Sequence, residues 1–310
     1  VTRRIALLLL LLAAGCQAGP PPTDDDAPGE EPAAAADAAP ARIAVIEGLV
    51  GPEAVKYDPD QDVYFVANFG GRDDDPRDGD GFISRVRPDG TVESLRFVTG
   101  GAEPLHMPRG MALEGDTLWV ADVDGVHGFD RRTGAALAFI DFRAHEPGFL
   151  NDVAVGPDGA LYVTDTGRAR VYRAGDGAPT LAVEDSLTGP PNGITWDPGR
   201  SAFLLAPWGG GRTIRSWARG TGLQEVVDVP GGRFDGIEVV GGRIVVASQA
   251  DSTIWVVADG TPTPAFRVGG APADIGLDPG RGVVAIPYIA LDRVELWRVP
   301  ALSPGGPDGR

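Results

Sequence analysis

Pro52-Glu53-Ala54-Val55-Lys56-Tyr57-Asp58-Pro59 is the stretch on which the reading of the fold turns, because variants of it recur along the chain. They read PRGMALEG from Pro108, LNDVAVGP from Leu150, PNGITWDP from Pro191, FDGIEVVG from Phe234 and PADIGLDP from Pro272. The second residues of the six phrases stand at 53, 109, 151, 192, 235 and 273, giving intervals of 56, 42, 41, 43 and 38. Each phrase leads through a short turn to an apolar run (VYFVAN, TLWVAD, ALYVTD, AFLLAP, RIVVAS, GVVAIP) and then to a third strand and a weaker fourth. About forty residues holding four strands is the period of a propeller blade.

Six phrases predict an all-β, six-bladed β-propeller of four-stranded antiparallel blades over residues 42–302. The last blade runs out of chain after RVELWRV, and ARIAVIEGL, ahead of the first phrase, supplies the missing outermost strand. Closing the ring in this way leaves no open sheet edge. The long first interval is taken up by an acidic insert from Arg72 to Gly81, expected to overhang the mouth as a solvated loop, a lid or an extra Ca²⁺ loop. It does not match EF-hand spacing.

The residues ahead of the repeats read differently. VTRRIALLLLLLAAGC has a basic start at Arg3 and Arg4, an apolar run too short to span a bilayer, and small residues before Cys16. Residues 1–15 are therefore expected to be a lipoprotein signal peptide and Cys16 the lipidated residue. Residues 16–41 are rich in Ala, Pro and acid and predict a disordered tether, with a second disordered tail at 303–310. The expectation is an exported protein anchored to the membrane through Cys16, on the periplasmic face of the outer membrane in a host with two membranes. One cysteine excludes an internal disulfide framework.

Lys and Arg number 27 against 44 Asp and Glu, for a net charge of −17, and no basic patch tracks a phosphate backbone. Nucleic acid is excluded as a partner on that balance. A ring closed on itself has no need of a second subunit, so a monomer is expected.

The innermost strand of a blade starts at one face and lines the central channel, so the second residue of each phrase looks into the channel mouth. Those residues are Glu53, Arg109, Asn151, Asn192, Asp235 and Ala273, of which four are oxygen donors. Two converging carboxylates repel and lose hydration unless a cation joins them. A hard dication, Ca²⁺ first, suits carboxylate and amide oxygens, whereas zinc would want His or Cys. Turn chemistry is the competing explanation for Asn192-Gly193 and Asp235-Gly236, but Glu53 and Asn151 are not followed by glycine.

The set Glu53 in GPEAVKYDP, Asn151 in LNDVAVGPDG, Asn192 in PPNGITWDPG and Asp235 in FDGIEVVGG resembles the Ca²⁺-binding signature of the gluconolactonase and regucalcin-like six-bladed propellers. The resemblance implies a Ca²⁺-dependent hydrolase acting on a small lactone or ester. In it Glu53, Asn151, Asn192 and Asp235 hold one divalent cation and Asp235 serves as general base. The chain departs from the pattern at Phe149, where sugar-lactonase members carry an arginine two residues before the blade-three Asn. An apolar substrate wall is expected there, with Arg109 as a replacement cation from blade two.

Further candidates for the substrate pocket are Asp122, Asp165, Trp208, Gln249 and Tyr288, which end or follow second strands, and His106 as a proton shuttle. A G-x-S-x-G nucleophile motif is absent. The alternative reading is a non-catalytic cell-surface propeller that binds a ligand or protein.

Overall fold

A computed structural model of the chain describes residues 39–71, 75–175, 177–185, 189–209 and 211–303. The leader, Cys16, most of the tether, the tail from 304 onward and positions 72–74 of the insert lie outside these residues. The described residues form six four-stranded sheets. Each sheet is a consecutive antiparallel meander except the last, in which the outermost strand is Ala41–Ile46 and the other three come from the C-terminal end. Ala41 pairs with Arg298 and Ile46 with Val294, so both ends of the ring share one blade. The pairing begins at Ala41, one residue before the boundary expected from composition, because Arg298 still offers it a ladder partner.

The architecture explains the composition of each strand. Second strands such as Val63–Asn68, Ala202–Pro207 and Val283–Tyr288 are buried at every position, because each of their two faces packs against a neighbouring blade. They therefore read as unbroken apolar runs. Fourth strands face solvent, and Val92–Val98 is exposed or half-buried at every position except Val98.

The hydrophobic interior is a set of seams between blades. Phe65, Ala67 and Ile83 of blade one meet Leu118, Val120 and Phe129 of blade two. Ile46, at the end of the N-terminal strand, joins Tyr64 and Val66 with Val283, Val294 and Leu296 in the seam between blades one and six. Burial of side chains of this size contributes roughly 1.5–3 kcal/mol each.

The Asp-Pro ending of three phrases is turn chemistry at the face opposite the mouth. Asp58 Oδ1 accepts from the N–H groups of Asp60 and Gln61 at 3.0 and 3.3 Å. Asp197 does the same for Gly199 and Arg200 at 2.9 and 3.2 Å. These are Asx-type turns that fix the first hairpin of a blade.

Candidate functional site

Glu53, Arg109, Asn151, Asn192 and Asp235 are all at most 4% exposed and, with Ala273, ring the start of the six innermost strands. The ladder between first and second strands shifts register between Pro52 and Ala54, Leu150 and Val153, Pro191 and Ile194, and Phe234 and Ile237. Each shift falls on one of the four oxygen donors. A bulge bends the strand and re-aims a side chain, and here it does so on the four blades that carry Glu53, Asn151, Asn192 and Asp235.

The glycines that follow these positions have a role other than turning the chain. Gly193 and Gly236 lie inside the strands Pro191–Asp197 and Phe234–Val240. A Cβ on Gly193 would sit 2.3 Å from the Asp235 carbonyl oxygen, and one on Gly236 would sit 2.3 Å from the Ile275 nitrogen. A Cβ on Gly110 would meet Asp152 Oδ1 at 2.0 Å. Glycine is required where the innermost strand of the next blade passes, and the hydrogen bonds Gly110 N–H to Asn151 O (3.0 Å) and Asp274 N–H to Glu53 O (2.9 Å) tie these strands around the channel.

Two carboxylates face the channel with their charge unbalanced. Burial first, and then the charge of Asp235, hold the Glu53 carboxyl well above the usual carboxylate range, while Arg109 opposes the rise. Burial pushes Asp235 up to about 7, with the nearby Asp152 adding to it and hydrogen bonds from Gln249 and Asn192 opposing. Glu53 Oε2 and Asp235 Oδ1 are buried without a hydrogen-bond partner. Buried carboxylate oxygens left this way cost free energy. Asn151 Nδ2 donates to Thr166 Oγ1 at 3.1 Å, which leaves its Oδ1 free as an acceptor.

Among the described residues no group of three or more His, Cys, Asp and Glu side chains is placed to hold a metal. The ring instead offers two carboxylates and two amides. That donor set fits Ca²⁺, which takes carboxylate and amide oxygens and completes its shell with water. The two orphaned oxygens are where such an ion would sit.

A cavity of about 610 Å³ opens above the ring and is lined by Glu53, Asn151, Asn192, Asp235, Phe149 and Gln249, among others. Trp208 also lines it, and the Arg233 guanidinium lies 4.8 Å from the centre of a Trp208 ring. Phe69, Thr166, Gly167, Pro190 and Ile289 complete the wall and were not singled out from sequence. Phe69, Thr166, Trp208 and Gln249 share one rule: each is the first residue beyond the pairing partner of a phrase's first residue. The partners are Asn68, Asp165, Pro207 and Ser248. Counting one residue past the apolar run would have found Phe69 and Thr166.

Four pocket candidates are placed elsewhere. The Asp122 carboxylate accepts from the N–H groups of His106, Met107 and Val123, each at 2.7 Å. Asp165 accepts from Gly148 and Phe149 at 3.0 and 2.8 Å. Both acids turn back to clip the loop that enters the innermost strand, and Asn68 Oδ1 does this for Val50 N–H at 3.2 Å. Tyr288 is packed in the seam between blades five and six with its hydroxyl 3.2 Å from Glu295 Oε2. His106 is held by its backbone N–H on Asp122, and its imidazole is not part of the wall of either cavity at the mouth.

Arg109 and Phe149 are brought together. The guanidinium lies 3.9 Å from the centre of the Phe149 ring and 5.6 Å from that of Phe69, and Arg109 Nη1 donates to the Leu150 carbonyl at 3.0 Å. The two residues also line a second cavity of about 470 Å³, roofed by Pro76 and Arg77 of the acidic insert. Arg77 is tethered to Asp124 at 2.7 Å, which holds this described part of the insert at the cavity, on the side of blade two.

Below the ring lies a charged layer that the sequence reading passed over. Lys56 Nζ and Glu238 Oε1 pair at 2.8 Å between blades one and five. Burial, opposed by the Ile194 N–H and Lys56, raises Asp152 to about 7. Asp274 is raised well above the usual range by burial and by the charges of Asp152, Glu53 and Asp235.

No family model matches the chain and no curated relative matches it. Solved structures share its fold. A gluconolactonase from Xanthomonas campestris superposes with a TM-score of 0.66 at 19% identity, covering 86% of this chain and 96% of that one. Regucalcin, a calcium-binding protein from Agrobacterium tumefaciens, gives 0.60 at 19% identity, covering 81% and 90%. A streptogramin B lyase gives 0.60 at 12% identity, covering 83% and 96%. At these identities the likeness carries the β-propeller fold alone, which proteins of differing chemistry share.

Proposed function

We propose that the chain is a Ca²⁺-dependent hydrolase of small lactones or carboxylic esters, with the ion held by Glu53, Asn151, Asn192 and Asp235. The observation that carries this reading is the pair of orphaned buried oxygens, Glu53 Oε2 and Asp235 Oδ1, at the floor of an apolar-walled cavity. Similarity in fold to a gluconolactonase and to a calcium-binding protein supports it.

When bound, Ca²⁺ supplies a charge that polarises the scissile carbonyl. The chain's own groups do the rest. Gln249 Nε2 donates to Asp235 Oδ2 at 2.6 Å and fixes the carboxylate that takes a proton from the attacking water. The water oxygen bonds to the carbonyl carbon, the ring or ester C–O bond breaks, and the proton passes from Asp235 to the leaving oxygen. Phe69, Phe149 and Trp208 exclude bulk water and favour an apolar substrate body. Cys16 anchors the protein at a membrane, and the propeller works as a monomer.

A second reading is a binding propeller whose ion is structural. The apolar Phe149, standing where a sugar lactonase would place a cation, favours it. The test is turnover of a lactone and aryl-ester panel with Ca²⁺ and with chelator, beside Asp235→Ala. Calcium-dependent turnover lost in the variant is expected. A folded, calcium-loaded protein that turns over no member of the panel would leave the binding reading.

A further inference from the structure

The second cavity has features that the hydrolytic centre does not use. Arg109 is 2% exposed, yet among the described residues its guanidinium forms no ion pair. Its single hydrogen bond runs from Nη1 to the Leu150 carbonyl, and Nε has no partner. A buried guanidinium without a carboxylate is costly, and the chain keeps one on the wall of a 470 Å³ cavity. The acids that act on it are Glu53, committed to the cation site, and Asp122, whose oxygens hold backbone N–H groups.

The rest of the wall is largely apolar. Met107, Val123, Pro147, Pro76 and the ring of Phe149 surround Arg109. Arg77 at the outer edge is already neutralised by Asp124. Phe149, 42% exposed, lines this cavity and the larger one, so it stands as the partition between them.

We propose that this second cavity is a subsite for an apolar leg ending in a carboxylate, with Arg109 as the residue that selects it. The terminal N–H groups of a guanidinium match a carboxylate in a two-bond fork. The substrate class that follows is a lactone or ester with a pendant carboxylate, its reacting carbonyl in the larger cavity and its acid leg past Phe149. This extends the small-molecule site of the proposed function but does not depend on turnover there.

The test is calorimetric titration of the calcium-loaded protein with 4-phenylbutyrate, which cannot be hydrolysed, beside the uncharged 4-phenylbutanol. The acid is expected to bind about 10-fold or more tightly than the alcohol. Arg109→Met should abolish that preference while leaving the weak binding of the alcohol in place. Val123→Trp, which keeps Arg109 and fills the cavity from its rim, should also abolish it, and carries the test if Arg109→Met melts early. Acid binding that survives both variants would place the carboxylate on the ion or elsewhere and overturn the subsite. Equal binding of acid and alcohol by the folded wild type would overturn it too. Failure of the ester panel alongside Arg109-dependent acid binding would remove the hydrolase reading and leave the subsite standing.

Discussion

Gln249 Nε2 donates to Asp235 Oδ2 at 2.6 Å, while Asp235 Oδ1 is buried without a partner. One oxygen of the residue is thus held by the protein and the other is open to a cation. Residues that orient a metal ligand typically matter 10- to 100-fold in affinity or activity. Gln249→Leu should weaken Ca²⁺ binding by about 10-fold, read by titration of intrinsic tryptophan fluorescence. It also removes a bond that lowers the Asp235 pKa. The acidic limb of any pH–rate profile should therefore move to higher pH, whereas unchanged affinity and profile would show that Gln249 does not position Asp235.

The buried acids set a direction for stability against pH. Asp235 and Asp152 are raised from 3.8 to about 7, and Glu53 and Asp274 rise also. Between these values the folded state keeps protons that the unfolded chain has lost, so stability without metal falls as pH rises through the interval. A Ca²⁺ ion held as proposed would compete with those protons and bind more tightly as pH rises. The gap in Tm between calcium-loaded and chelated protein should widen from about pH 5 to pH 8. A chelated protein that gained stability over this range would contradict the burial of these acids.

The repeat and the four donors were legible because both are written locally, as a recurring phrase and as one position within it. The bulges that aim the donors were not, since a one-residue slip in pairing leaves no mark on a single strand. Asn192-Gly193 read equally well as a turn, and only the passage of the Asp235 carbonyl shows why glycine is needed. Asp122 and Asp165 misled because an acid at a strand end can face the mouth or fold back onto N–H groups, and here both fold back. Asp152 and Asp274, the third residues of their phrases, look like ordinary strand positions until the ring brings them beneath Glu53 and Asp235.

Gly236, next to Asp235, tests how closely the innermost strands of blades five and six must pass. Gly236→Ala puts a methyl group 2.3 Å from the Ile275 nitrogen, which is backbone and has nowhere to move. Overpacking of this kind costs about 1–3 kcal/mol, and denaturant unfolding should show it. Gly175→Ala is the control: its nearest neighbour would be Ala160 Cβ at 3.5 Å, an ordinary contact, and its cost should stay within about 0.5 kcal/mol.

Arg131 joins blades one and two on the face away from the mouth. Its Nη1 lies 2.8 Å from Oδ1 of Asp58, whose side chain is fully buried. Removing one partner of a buried pair leaves the other charge without compensation, at about 3 kcal/mol or more. Asp58 keeps the N–H groups of Asp60 and Gln61, so the loss should fall at the lower end of that range. Arg131→Met is expected to lower the midpoint of denaturant unfolding. Because Arg131 lies far from the ring of donors, Ca²⁺ affinity should be unchanged in the same variant. A parallel fall in affinity would mean that strain at this seam is transmitted across the blade to the channel.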